Sequence, residues 1–371
     1  MAGHRHPPLP GLGDQHHRRG VVNFTDERVE DFLRLSRLPY AVTLKRFPKT
    51  EHYICLDFPD VFSPEYAENS RTFARRELSP MARDPGMIGY FINNEPEWMF
   101  KEDCCIAHEL LVREEPLYTR RHLLRWLQDR YAGIEELNRA WGLSLPAWES
   151  LLSPLPRQTV LSDRAQRELQ EYEQLLMLAF GQIPLDACRQ VDPHHLCLGL
   201  RHGGFSEKMV AGSAIFDVFS FNCYDRSPVQ RLDMARRSGK PVIIGEWHIG
   251  GQETGLMRTA LLSCETQEGR ARACRQYLEA AAACPWCVGA HYFEYNDQSL
   301  LGRFDGEHMS HGLIDCANRP YPAMARMPEE TSAGLYDVLT GRKAPIPHRP
   351  SAGWSPTGKP RLARRRKEIH P

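Results

Sequence analysis

Seven short apolar runs punctuate the chain, and the stretches between them carry helical patterning; that alternation constrains the fold more than any other feature. The runs are VVNF (21–24), YAVTL (40–44), MIGYFI (87–92), LCLGL (196–200), FDVFSFN (216–222), PVIIGE (241–246) and CVGAHYFEY (287–295). They are rich in Val, Ile, Phe and Tyr, too short for helices, and mostly apolar without clean alternation. Strands covered on both faces have this character. The helices between them have legible ends. After VVNF, Thr25 can cap, Asp26 and Glu27 occupy the first turn, and Val29, Phe32 and Leu33 form a stripe. After FDVFSFN, Ser227 can cap, Pro228 suits the first helical position and Gly239 can terminate. HLLRWLQDRY, IEELNRAW and EGRARACRQYLEAAAAC are further helical stretches, and ELQEYEQLLMLAF opens a longer one that Pro184 can kink.

Strand–helix–strand alternation on this scale implies an α/β fold with a parallel sheet. No Gly-rich phosphate turn follows an early run, so an open doubly wound sheet fits poorly and a closed (β/α)8 TIM barrel fits better. The barrel is expected over residues 19–335. Residues 1–18 are rich in Pro, Gly and His, and residues 336–371 are Pro-rich and basic, ending in RLARRRK; both read as poorly ordered tails. Seven runs are one short of eight strands. The first strand is expected to be lacking or substituted, either because the chain starts late or because the N-terminal tail supplies a replacement.

The bulk numbers narrow the function. Lys+Arg and Asp+Glu balance at 47 each, so neither nucleic acid nor an anionic membrane is expected as the main partner. No stretch of eighteen apolar residues occurs, and the N-terminus has no apolar h-region. The eleven cysteines are odd in number and scattered, which reads as reduced thiols in a cytoplasmic protein, secretion remaining open if the true N-terminus lies upstream. CPWC (284–287) has redox spacing but sits at a helix end, where a structural role is expected.

Catalytic groups of a barrel sit where strands end. Two runs end in glutamate: YFINNEP in Glu95 and VIIGEW in Glu246. Counted in a full barrel these are strands four and seven, which face each other over the mouth. Retaining glycoside hydrolysis uses two carboxyls roughly 5–5.5 Å apart, one as nucleophile and one as acid and then base. Asn94 can hold a sugar hydroxyl, Pro96 can stiffen the turn that aims Glu95, and Tyr224 can hydrogen-bond Glu246. A lone strand-end glutamate is ordinarily a solvated rim residue, and Glu115-Pro116 shows that Glu-Pro alone means nothing; the pair of strand-end glutamates carries the argument.

FINNEPEW followed by PVIIGEWH resembles clan GH-A glycoside hydrolases. YAGIEELNRAWGLSLPAW (131–148) resembles family 42 β-galactosidases, and FPDVFSPEYAE and HYFEYNDQSLLGRFDGE are similar to agarase-related members. The resemblance covers roughly residues 20–330. It implies Glu95 as acid/base, Asn94 as the asparagine before it, Glu246 as nucleophile and Tyr224 as the tyrosine bonding the nucleophile. It also implies an aromatic platform at the end of strand eight, here Phe293 or Tyr295, and an arginine on strand two, where VVNF offers only Asn23.

His202 can line the sugar site or cap a loop. Trp247 and His248 are expected at the barrel mouth. Asn296, Asp297 and Arg303 can bond sugar hydroxyls or form a salt-bridged loop. Trp98 and Trp141 are possible stacking surfaces, Trp141 lying on a helical stripe that suits a core. No zinc-protease helix or nucleophile elbow occurs. The expected function is a retaining hydrolase of β-linked, galactose-type sugars, with an oligo- or polysaccharide substrate and no cofactor or metal. The alternatives are a truncated, inactive carbohydrate-binding remnant and a metal-dependent barrel hydrolase.

Overall fold

A computed structural model describes residues 22–24, 38–101, 104–204, 206–254, 260–303, 306–347 and 354–355. The helix expected after VVNF, the N-terminal eighteen residues and the RLARRRK run lie outside the described residues. The chain divides into two compact units: Val21–Phe221 with Ala235–Ile243, and Asn222–Met234 with Ile244 onward.

The first unit is built on a parallel sheet. Strands β1 (Val22–Phe24), β2 (Tyr40–Thr43), a short hairpin β3 (Tyr53–Cys55) and β4 (Phe58–Pro59), β5 (Met87–Phe91) and β6 (Leu196–Cys197) follow in chain order. β1, β2, β5 and β6 pair in that order, all parallel. The expected run 196–200 forms only two residues of regular strand, because Gly199 at φ +87° and Arg201 at φ +44° turn the backbone out of the extended region. The direction continues nonetheless: Ile92 N–H donates to the Gly199 carbonyl, His202 bridges Phe221 in parallel, and Phe219 N–H donates to the Pro241 carbonyl. β7 (Phe219–Asn222) is correspondingly shorter than FDVFSFN, and β8 (Val242–Trp247) begins in the first unit. Ala41, Phe91, Leu198, Val218 and Ile243, one from each successive strand region, form a separate buried cluster. Side chains filling the inside of a curled parallel sheet pack this way.

The helices of this unit are α1 (Pro64–Leu78), α2 (Ile106–Val112), α3 (Tyr118–Gln128), α4 (Ile134–Trp141), α5 (Asp163–Val191) and the short α6 (Glu207–Gly212). Ser63 caps α1 and Ser162 caps α5; α5 runs unbroken through Pro184. Trp141 is fully buried, and its indole N–H donates to Glu168 at 2.7 Å. Leu117 before α3 offers no capping side chain; the buried Asp60 serves instead, accepting the N–H groups of Tyr118 and Thr119, both at 2.7 Å, and the Thr119 hydroxyl.

In the second unit, Phe293 N–H donates to the Trp247 carbonyl, joining β8 to a later strand, and Cys223 N–H donates to the Glu246 carbonyl. Three minor strands, β9 (Gly250–Gly251), β10 (Ser263–Cys264) and, late in the chain, β12 (Trp354–Ser355), pair around β10. β11 is Cys287–Tyr292. α7 (Val229–Ala235) follows Pro228 and leads to Gly239 at φ +67°. α8 (Gln267–Ala282) precedes β11, and α9 (Pro322–Leu339) packs on α8. The helix runs four residues past 335, and Ile346 N–H donates to Glu279 on α8, so the chain stays attached beyond the expected start of the C-terminal tail. Cys284 and Cys287 are buried free thiols at the α8–β11 turn.

Asp60→Ala leaves two helix N–H groups without their acceptor. It should lower stability by roughly 2–3 kcal/mol, measured by urea denaturation, with the far-UV spectrum unchanged.

Candidate active site

In the first unit the chain leaves the sheet after β5 at Asn93 and Asn94. Glu95 sits at φ +47° and donates its N–H to the carbonyl of Arg201, itself at φ +44°. A left-handed backbone at two non-glycine residues costs of order 1 kcal/mol or more each and persists only where the surroundings hold it. The hold here is visible. A Cβ on Gly203 would stand 2.9 Å from Glu95 Cγ and Cδ and 2.5 Å from the Phe100 ring, so the space at this glycine belongs to the Glu95 side chain. Beyond Pro96 the 3-10 turn Glu97–Phe100 is capped by Asp57, which accepts the N–H groups of Glu97 at 3.1 Å and Trp98 at 3.0 Å. The buried Asn94 Oδ1 has no partner among the described residues.

Two expectations in this unit change, and one residue is new. Trp98 is not a stacking surface: it is buried edge-on against Phe58 and Phe180, at centroid distances of 5.4 and 5.5 Å. His202 neither lines an open site nor caps a loop. It is buried, with Nε2 donating to Ser213 Oγ at 2.9 Å, since that hydroxyl is committed to the Met209 carbonyl, and with Nδ1 against Met99 Sδ. Arg201, which the sequence did not single out, is buried at the strand ends. Its Nη1 donates to Thr43 Oγ1 at 2.9 Å and its guanidinium lies over the Phe91 ring.

In the second unit Glu246 closes β8 and is 7% exposed. Tyr224, just past β7, donates its hydroxyl to Glu246 Oε2 at 2.6 Å. His248 lies against the Tyr224 ring at 4.6 Å. Its Nδ1–H donates to the Phe293 carbonyl, and its Nε2 accepts the N–H of Leu261, so the imidazole is neutral. Trp247, expected at the mouth, is instead core: it stacks on Tyr277 at 4.4 Å and meets Tyr292 edge-on. Strand periodicity explains the difference, because successive side chains point to opposite faces and Glu246 takes the other one.

After β11 the peptide between Phe293 and Glu294 is cis. The half-buried Phe293 ring faces Arg303 and His311, while Tyr295 is 50% exposed. Asn296 donates to Asn318 Oδ1 at 3.0 Å. Asp297 is a structural anchor, accepting Gly312 N–H at 2.7 Å and the Tyr321 hydroxyl. Arg303 forms a salt-bridged loop, lying 3.9 Å from Glu294 and 3.7 Å from Glu307. His311 escaped the sequence reading. It is fully buried and stacks on His248 at 4.2 Å; its Nε2 lies 3.6 Å from Glu294. The buried Arg270 of α8 fixes this loop by donating to the carbonyls of Ile249, His311 and Gly312. Nothing local in HGL marks His311; only its distant stacking partner His248 does.

Residues 49–236 match glycoside hydrolase family 42, described as β-galactosidase. The chain belongs to this family. Among curated proteins, β-agarase B of Vibrio sp. (strain JT0107) is 26% identical over 291 residues, covering 75% of this chain and 30% of that protein. β-Agarase A of the same strain is 27% identical over 300 residues, with the same shares. The chain thus spans under a third of the length of these curated relatives. The structure of an exo-β-agarase superposes with a TM-score of 0.76 at 27% identity, over 84% of this chain and 44% of that one. A β-galactosidase from the psychrophilic Marinomonas ef1 superposes with a TM-score of 0.59 at 16% identity, over 88% and 57%, which speaks to fold alone. These solved neighbours are glycoside hydrolases of TIM-barrel-type fold; the family 42 chain itself is α/β, and among the described residues its strands do not pair into the closed barrel expected from sequence. Among the described residues no helix is long and apolar enough to cross a membrane, and no three His, Cys, Asp or Glu residues cluster to hold a metal ion.

Burial holds His202 and His311 down at about 3, and holds His248 well below the ordinary imidazole value. The unfolded chain binds protons near pH 6.5 that the fold refuses, so stability should fall as pH drops from 7 toward 4, by roughly 1.4 kcal/mol per pH unit per site. Urea midpoints at pH 7 and 5 measure this, and His311→Phe should make the slope shallower by about one proton.

Proposed function

We propose that this chain carries the catalytic barrel of a retaining glycoside hydrolase acting on β-linked, galactose-type sugars in oligo- or polysaccharides. In this reading the fold is a (β/α)8 barrel in which β1 takes the place of the second strand, and Glu95 and Glu246 close strands four and seven. The observation that carries it is Glu246 at the end of β8 with the Tyr224 hydroxyl 2.6 Å away, in a chain of family 42. Membership alone does not bring the chemistry; a strand-end carboxylate held by the hydroxyl of a half-buried tyrosine is what a nucleophile requires. The β-agarases among the curated relatives and the description of the matched family as β-galactosidase support the sugar class.

The steps follow from two carboxyls. Glu246 attacks the anomeric carbon while the protonated Glu95 gives its proton to the departing glycosidic oxygen. The resulting glycosyl ester at Glu246 is broken by a water whose proton returns to Glu95, restoring both groups. Asn94, whose buried side-chain oxygen lacks a protein partner among the described residues, is assigned to a hydroxyl of the bound sugar. Tyr224 and His248 are positioning residues: the tyrosine fixes one Glu246 oxygen and the neutral imidazole packs behind the tyrosine ring. Phe293 and Tyr295 are assigned as the aromatic face beside the sugar, and Arg201 as the arginine that the run VVNF lacks. The reading uses no cofactor or metal, so chelators should leave activity unchanged. A cytoplasmic location remains part of the proposal.

Glu246→Gln and Glu95→Gln should each lower cleavage of an aryl β-galactoside by at least ~10³-fold, with the first-formed sugar of the wild type retaining the β configuration by NMR. Undiminished turnover in either variant, or an inverted product, overturns the assignment. Tyr224→Phe should reduce kcat by about 10–100-fold with KM little changed, the mark of an interaction that acts through the nucleophile.

A further inference from the structure

Cys55 ends β3 and Cys104 stands two residues before α2, 49 positions later, yet their sulfurs are 3.0 Å apart in the first unit. That is about 1 Å more than a disulfide bond of ~2.05 Å, a gap that small side-chain rotations close. The two thiols are chemically unequal. The hydrogen bond from Cys104 pulls the Cys55 thiol down to about 7 against its burial, and the Lys101 and Arg113 cations help; Cys104 is pushed up by the same bond and by burial. A low-lying thiol beside a second thiol that can resolve it is one part of what oxidation-sensitive pairs have; both cysteines are 5% exposed, so the oxidant that reaches them has to be as small as hydrogen peroxide. The CPWC cysteines lack that pairing. Cys284 and Cys287 direct their thiols at the carbonyls of Ala280 and Gly289, and burial raises both, Cys287 to about 11.

We propose that Cys55 and Cys104 are an oxidative modification site, which a peroxide converts to an internal disulfide clamping the segment that carries Glu95. The Cys55 thiolate attacks one oxygen of hydrogen peroxide and becomes a sulfenic acid, and the other oxygen leaves as hydroxide and takes a proton to become water. The Cys104 sulfur then displaces the sulfenic oxygen, which leaves as a second water carrying the Cys104 proton. Two thiols lose two electrons and one peroxide gains them. The mechanical consequence follows from the chain path. Cys55 leads through Leu56 directly to Asp57, the cap of Glu97–Phe100, and Cys104 lies just beyond that turn. The bond therefore ties the cap to the far end of the turn it caps, and Glu95 lies within the closed loop. The site stands whether or not the hydrolase reading does.

Peptide mapping after peroxide treatment of the folded protein, quenched with iodoacetamide in denaturant without reductant, tests it. The expected result is a Cys55–Cys104 linked peptide, a thiol titre two below the eleven of the reduced chain, restoration by dithiothreitol, and a Tm at least ~5 °C above the reduced form. Cys55→Ala and Cys104→Ala should each abolish the linked peptide; either suffices if the other fails to fold. Recovery of both cysteines as alkylated thiols or as separate sulfinic acids overturns the proposal. So does protection from alkylation that EDTA reverses and dithiothreitol does not, which would mean a bound metal.

Discussion

A parallel sheet forces every strand to release its chain at the same edge, and the chemistry of this protein depends on that constraint. In the first unit β2, β5 and the strand region after β6 run side by side. Thr43, Glu95 and Arg201 consequently emerge together although they are separated by up to 158 residues. The backbone bond between Glu95 and Arg201 is the clearest expression. Two neighbouring strands end in left-handed residues that brace each other, and the space of Gly203 receives the carboxylate. In the second unit the same rule puts Glu246 at the end of β8 beside Tyr224.

Polar side chains that bond to backbone hold the segments after both strand ends, and two of them, Arg270 and His248, are buried. Arg270 holds three carbonyls of the second unit, His248 holds the Phe293 carbonyl, and Asp57 holds the turn after Glu95. Such groups are expensive to bury and are kept where geometry must not drift. The three depressed imidazoles are part of that cost and link the stability of the fold to pH.

What was legible in the sequence was local. Strands β1, β2, β5, β8 and β11 follow their apolar runs, Pro228 directly precedes α7, Gly239 adopts the left-handed conformation expected of a helix terminator, and Glu246 falls at the end of β8 because strand ends are marked by composition. What was illegible depends on distant partners. Asp60 caps a helix 58 residues away, His311 stacks on His248, and Arg201 rests on Thr43. Trp98 looks from sequence like a stacking surface and Trp247 like a mouth residue, because an indole suited to facing a sugar is equally suited to a core. Only the neighbours Phe58, Phe180 and Tyr277 decide between the two.

The central claim is that Glu246 forms a covalent bond with a galactose-type sugar. The most direct measurement is mass-spectrometric mapping of the chain after inactivation by a 2-deoxy-2-fluoro-β-galactoside with a dinitrophenyl leaving group, which traps a glycosyl-enzyme. A single adduct on the peptide containing Glu246, absent from Glu246→Gln, is the expected result. An adduct on any other side chain, or turnover of β-galactosides by a protein that never takes up the label, would contradict it.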